Sequence, residues 1–306
     1  MSVTPTQQGS FRLFRFAGVD VFLHWSWFLI AWIEIDQRSK IYSSVVWNCL
    51  EYLSLFAIVL LHEFGHSLAC RQVGGKAERI VLWPLGGVAY VAPPQRPGAM
   101  LWSIAAGPLV NVLLVPALTM GLVLGRAAGL AQSMPDGFAL LRQVCFINYA
   151  LLIFNMLPIY PLDGGQILRS LLWFPLGRAR SLMVASIIGF IGVAALILLA
   201  IVTRSYWTGI MAVFILLNCW GGLMQARALT KAGRIPRRSG FACPVCSEAP
   251  PVGQLWGCGK CRTRFDTFET GGVCPNCGAA YGVTTCPSCG SSRPIQEWSG
   301  VRETAG

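Results

Sequence analysis

Charge is what this 306-residue sequence lacks most: only 12% of its residues are Asp, Glu, Lys or Arg. An ordinary soluble domain carries about 25%. Histidine is scarcer still, with three in the chain, and acidic residues number thirteen. So little charge cannot cover a soluble fold of this size with polar surface, and 54% of the residues are hydrophobic at a mean hydropathy of +0.57. Internal repeats are missing. A cleavable signal peptide is not expected either, because the first apolar segment leads into Ile33-Glu34-Ile35-Asp36 and not into a small-residue cleavage site. The charge that is present is lopsided. Residues 1–240 hold nineteen Lys/Arg against eight Asp/Glu, whereas residues 241–306 hold five of each. The basic excess therefore belongs to the apolar part. Its natural partner is the lipid bilayer with its anionic surface, and no nucleic acid is expected.

The apolar runs predict an all-α polytopic membrane protein of about six transmembrane helices, near 19–35, 45–72, 100–125, 137–157, 182–203 and 206–225. Residues 1–10 are polar and read as disordered, and 11–18 alternate aromatic and basic residues as an interfacial segment would. Between the second and third spans, β-rich runs flank Pro84–Gly87 and predict a small membrane-associated β-hairpin. Its free edge can pair with an extended peptide, or the stretch is a plain connection. Basic residues near the span ends favour one side by fourteen to five, which puts both termini in the cytosol of a multi-pass cell-membrane protein.

Within the second apolar run lies His62-Glu63-Phe64-Gly65-His66. Ionisable groups at membrane depth are expensive and usually functional. Histidines four apart share a helix face and can bind one metal ion, with the glutamate between them free to act as a base. The competing reading is a polar helix–helix contact. A second discontinuity, NMLPIYPLDGGQ, ends the fourth run and places Asp163 among Pro158, Pro161, Gly164 and Gly165, which interrupt regular helix. A helix cap is the alternative for Asp163. Asn111 and Asn155 are buried-amide candidates for positioning a substrate or an oxyanion, as are Gly86 and Gly87 in the turn. His24 reads as a packing or hydrogen-bonding residue more readily than as a metal ligand.

Beyond a basic linker, 226–240, the chain changes character. Four CxxC units, Cys243/Cys246, Cys258/Cys261, Cys274/Cys277 and Cys286/Cys289, predict a double zinc ribbon over 241–291, with 292–306 as a flexible C-terminus. Thiolates at this spacing suit tetrahedral zinc, and so small a polar unit has little core without metal. A disulfide framework is the alternative, disfavoured in a cytosolic tail. Sequential pairing gives sites 243/246/258/261 and 274/277/286/289. The ribbon-like gap between Cys261 and Cys274 leaves another pairing open. The ribbons suit docking of a cytosolic protein partner.

HEFGH on one apolar helix and NMLPIYPLDGGQ at the end of another closely resemble the site-2 protease family of intramembrane zinc metalloproteases. His24-Trp25-Ser26, Gly86-Gly87 and Gly107-Pro108 with Asn111 look like further family features, and the resemblance covers roughly residues 15–225. It implies an intramembrane metalloprotease domain over 19–225 with one catalytic Zn(2+) held by His62, His66 and Asp163. It also implies Glu63 as general base toward a zinc-activated water, and a transmembrane protein as substrate. The tail departs from the family core: a double zinc ribbon stands where no peptide-binding or nucleotide-binding regulatory domain is seen. A catalytically inactive membrane adaptor, recruiting partners through its ribbons, is the alternative.

Overall fold

The computed structural model describes residues 9–37, 41–83, 86–287 and 289–298. The chain divides into two compact units, Met1–Leu229 and Thr230–Gly306.

The first unit begins with strands β1 (Ser10–Phe16) and β2 (Val19–His24), then helices α1 (Ser26–Gln37) and α2 (Val45–Gln72). Strands β3 (Lys76–Trp83) and β4 (Gly86–Ala92) follow, then helices α3 (Pro97–Ala127), α4 (Leu130–Ser133), α5 (Pro135–Met156), α6 (Asp163–Thr203) and α7 (Tyr206–Gly233). Five helices, α2, α3, α5, α6 and α7, are long and apolar enough to cross a membrane. The protein is thus a mostly helical, polytopic membrane protein with a sheet region.

Local chemistry sets the ends of these helices. Ser44 caps α2 by accepting a hydrogen bond from the Val46 N–H at 3.3 Å. Gly74, at φ +84°, turns the chain out of α2 into β3. Prolines open α3 and α5 at the first turn, where their missing N–H is not needed. Helix α6 is interrupted at Gly177 (φ 76°, ψ 171°), so its first segment ends there and a second continues to Thr203.

Three expectations about this unit change. The expected hairpin is part of a four-stranded sheet in the order β1-β2-β3-β4, with β2 and β3 parallel and the other pairs antiparallel. The expected interfacial segment at 11–18 supplies most of β1. The expected first span at 19–35 divides into β2 and the twelve-residue α1. The physical reason lies in Val19, Val21 and Leu23. They alternate inward and pack on Ile80 and Leu82 beneath Phe64 of α2, so the apolar residues at the start of that run serve a sheet face. Of the proposed turn, Pro84 and Leu85 fall outside the described residues, and Gly86 and Gly87 begin β4. Residues 1–8, Arg38, Lys40 and 299–306, on which other sequence expectations rest, also fall outside.

Helix α7 runs on to Gly233, through part of the expected linker. The second unit consists of two small hairpins, β5 (Trp256–Gly257) with β6 (Arg264–Phe265) and β7 (Val283–Thr285) with β8 (Ser292–Pro294), and a 3-10 turn at Ile295–Trp298. Part of the expected flexible C-terminus is therefore ordered. Trp298, 1% exposed, packs on Phe268 in a small core with Cys243 and Cys286.

The candidate metal centre and its neighbours

Helix α2 brings His62, Glu63 and His66 into the protein interior, each less than a tenth exposed. Asp163 arrives from the first turn of α6. The His62 Nε2 lies 3.0 Å from Asp163 Oδ2, the His66 Nε2 lies 3.4 Å from the same oxygen, and the two Nε2 atoms are 3.1 Å apart. Three ligands on a tetrahedral zinc, at bonds of 2.0–2.1 Å, stand about 3.3 Å apart. The three side chains thus fit one zinc ion, with a fourth position left for water or substrate.

The opposite edges of both imidazoles are held in place. His62 Nδ1 meets Asn111 Oδ1 at 2.6 Å, and His66 Nδ1 meets the Ser103 carbonyl at 2.9 Å. Both contacts favour a proton on Nδ1 and so turn the Nε2 lone pairs toward the metal position. Asn111 is itself fixed: its Nδ2 donates to Asn148 Oδ1 at 2.8 Å, and Asn148 Nδ2 donates back to the Asn111 carbonyl at 3.0 Å. Asn111, a candidate for substrate positioning from the sequence, thus contacts a ligand histidine in the structure. Asn148 and Ser103 were not singled out in the sequence. Asn148 had one available signal, an amide within the apolar run of α5.

From α2, Glu63 lines the same cavity as the three ligands. Its Oε2 accepts the Ala89 N–H at 2.9 Å, a donor on the free side of β4, the edge strand of the sheet. This close approach requires glycine at 87, because a Cβ there would stand 2.3 Å from Glu63 Cγ. Gly107 of α3 has the same role beside the ligands, since a Cβ on it would meet His66 Nε2 at 2.3 Å. That cavity, of about 480 Å³, opens on His62, Glu63, His66 and Asp163, and Gly86, Gly87 and Asn155 also line it. Gln166 of α6 and Asn218 of α7 add polar groups to its wall. His24 is elsewhere: its ring bonds Ser26 Oγ at the start of α1, with Trp83 against its edge.

In the second unit, eight cysteines form two four-sulfur clusters, with pairings that differ from the sequential expectation. Cys243 and Cys246 join Cys286 and Cys289, whereas Cys258 and Cys261 join Cys274 and Cys277. One site is nested inside the loop of the other. Sulfur–sulfur distances are 3.8 Å for Cys243–Cys289 and Cys246–Cys286, 3.5 Å for Cys258–Cys277 and 3.6 Å for Cys261–Cys274. Zinc–thiolate bonds of 2.3 Å require about 3.8 Å, so both clusters fit structural zinc. Among the described residues the protein thus offers one His-His-Asp site and two four-cysteine sites.

The model of peptidase family M50 matches residues 51–138 and 126–199, which include both the HEFGH helix and Asp163. Over those residues the chain matches that family. Among curated relatives, it is 35% identical over 180 residues to the zinc metalloprotease MJ0392 of Methanocaldococcus jannaschii, a match that covers 59% of this chain and 50% of the relative. It is 29% identical over 229 residues to the putative zinc metalloprotease sll0528 of Synechocystis, covering 69% and 59% respectively. The chain thus spans about half the length of these curated relatives. A solved structure of the site-2 protease from Methanocaldococcus jannaschii superposes with a TM-score of 0.50 at 27% identity, covering 70% of this chain and 95% of that one. The M50 match stops before the cysteine clusters, which belong to the other compact unit.

Proposed function

We propose that this chain is an intramembrane zinc endopeptidase that hydrolyses peptide bonds in or near the transmembrane segments of membrane proteins. One observation carries the reading: three ligand atoms spaced for zinc share a cavity wall with a glutamate held against the free edge of a β-strand. Zinc, when bound by His62, His66 and Asp163, supplies Lewis-acid chemistry that acidifies a water and polarises a carbonyl. The chain's own residues do the rest. Glu63 is the general base: the Ala89 N–H anchors Oε2, which leaves Oε1 to take the proton from water and pass it to the departing amine. The exposed edge of β4 offers backbone partners to an unwound stretch of substrate, which holds the scissile bond beside Glu63. Asn155 and the glycines at 86 and 87 are the positioning candidates along that path. The complete ligand set, with Glu63 beside it, leaves an inactive adaptor without support.

The orientation is part of the same proposal. The basic residues gather on the side where α2 ends and α6 begins, so the centre opens toward the cytosol and both termini lie there. The zinc-ribbon unit then faces the cytosol, where a protein partner or a substrate's soluble portion is its expected contact.

Glu63→Gln tests the chemistry. In membranes that contain the full chain, this variant should retain its zinc and lose cleavage, so that a membrane protein accumulates uncut. Cleavage of the same protein at the wild-type rate sinks the assignment of Glu63, and failure of any membrane protein to accumulate sinks the protease reading.

A further inference from the structure

Two arginines of α6 have no part in the chemistry above. Arg169, six residues beyond Asp163 on the same helical segment, is only 8% exposed. Its Nε is shut off from solvent without an acceptor, and so is the Nε of Arg178. Among the described residues, no carboxylate or carbonyl accepts a hydrogen bond from either guanidinium. The two charges are within electrostatic range of one another, and Tyr160 is within range of Arg169. Arg178 lies over the Trp173 ring at 5.9 Å, on the near side of the break at Gly177. The pair thus straddles the bend where α6 changes direction.

Two cations within electrostatic range of each other, each with a buried Nε that meets no acceptor, are a costly arrangement unless an anion completes it. A planar guanidinium presents its Nε and Nη donors as a fork that matches phosphate oxygens. The bend also lies between the centre-bearing first segment of α6 and the long apolar segment that follows. Lipid phosphates occur at such a boundary. We propose that Arg169 and Arg178 form a phosphoryl-binding site at the Gly177 bend of α6, filled by the headgroup of an anionic lipid or by free phosphate. Occupancy ties together the two segments of α6, the first of which begins with Asp163. The site stands independently of the hydrolytic reading.

The test uses the full-length protein in nanodiscs of phosphatidylcholine alone, of an equal mixture with phosphatidylglycerol, or of phosphatidylcholine with inorganic phosphate added. Thermal unfolding and native mass spectrometry report occupancy. Phosphatidylglycerol should raise the wild-type unfolding temperature and stay bound through ionisation. Arg169→Gln and Arg178→Gln should weaken that binding by about tenfold or more, while Arg180→Gln, altering an exposed neighbour, should leave it unchanged. Arg178 is the less buried of the pair, so its variant carries the test if Arg169→Gln does not fold. Stabilisation by inorganic phosphate alone, lost in the same two variants, supports the site and assigns it to the free anion. Equal responses in wild type and both variants, an equal loss in Arg180→Gln, or no wild-type response to either anion overturns the proposal.

Discussion

Single contacts decide how this centre is built. Asn111 illustrates the point, because its Oδ1 holds the Nδ1 edge of His62 and its own amide is braced by Asn148. A group of this kind acts through the ligand and not on the substrate. Loss of such an outer partner typically costs 10–100-fold in metal affinity. Asn111→Leu should therefore weaken zinc binding by about that factor, measured by chelator competition. A variant with unchanged zinc affinity and a raised KM would return Asn111 to the substrate-positioning role. The second unit offers a residue-scale case of a different kind. Burial of Asp266 pushes its carboxyl up, but the Gly253 N–H, the Arg238 guanidinium and the Phe268 N–H together outweigh this and hold its pKa below the ordinary value. A depressed carboxylate stabilises the fold above its unfolded pKa, near 3.9, and that contribution fades as pH falls through the folded value. Asp266→Asn should thus lower the unit's stability by about 2 kcal/mol at neutral pH. The gap to wild type should be constant from neutral pH down to about pH 5 and close only below about pH 4. Hydrogen exchange at the amides around Phe268 in the intact protein reads it, and a pH-independent gap would rule out the charged role.

At the scale of elements, the cysteine clusters separate what a sequence discloses from what it withholds. Four identical CxxC knuckles announce zinc, because thiolate pairs at that spacing have few other uses in a reducing compartment. They do not announce partners, since every knuckle is chemically the same and only the packing around Phe268 and Trp298 selects the nested arrangement. Exchange of Cys274 and Cys277 for serine makes the difference measurable. About one zinc should be lost, and Cys258 and Cys261 should become the thiols open to alkylation, while Cys286 and Cys289 stay protected. Newly reactive Cys286 and Cys289 would instead restore the sequential pairing. The strands show the same division. His62, His66 and Asp163 were legible because a metal site demands particular residue types, whatever the surrounding fold. Strand β2 was not, although Val19, Val21 and Leu23 alternate, because its partner strand β3 lies beyond α2 and the run into α1 is largely apolar. The contact of Asn111 with His62 was hidden for a related reason: the residue type was visible, but the direction of its amide depends on how α3 packs against α2.

The molecule as a whole raises the question of how five long helices fit a sequence with a six-span charge pattern. Strand β2 runs parallel to β3, which turns back along α2 after Gly74, so β2 and α1 together run against α2. Contacts follow that path: Trp27 lies against Tyr52 and Phe56, and the Tyr52 hydroxyl donates to the Trp27 carbonyl at 2.7 Å. Six residues of strand followed by twelve of helix extend about 38 Å, against a hydrocarbon core of about 30 Å. We infer that this composite makes the first crossing, its strand sheltered in the sheet so that no backbone group faces lipid unpaired. On that inference the number of crossings is even, with β1 and the end of α7 on the same side. Epitope tags at the two ends, probed with antibody before and after the membrane is permeabilised, should both be reached from the cytosolic face only. Tags on opposite faces would leave α1 on one side of the membrane and reduce the crossings to the five long helices. The orientation drawn from the basic residues would then have to be assigned anew, with the metal centre's side fixed by α2 alone.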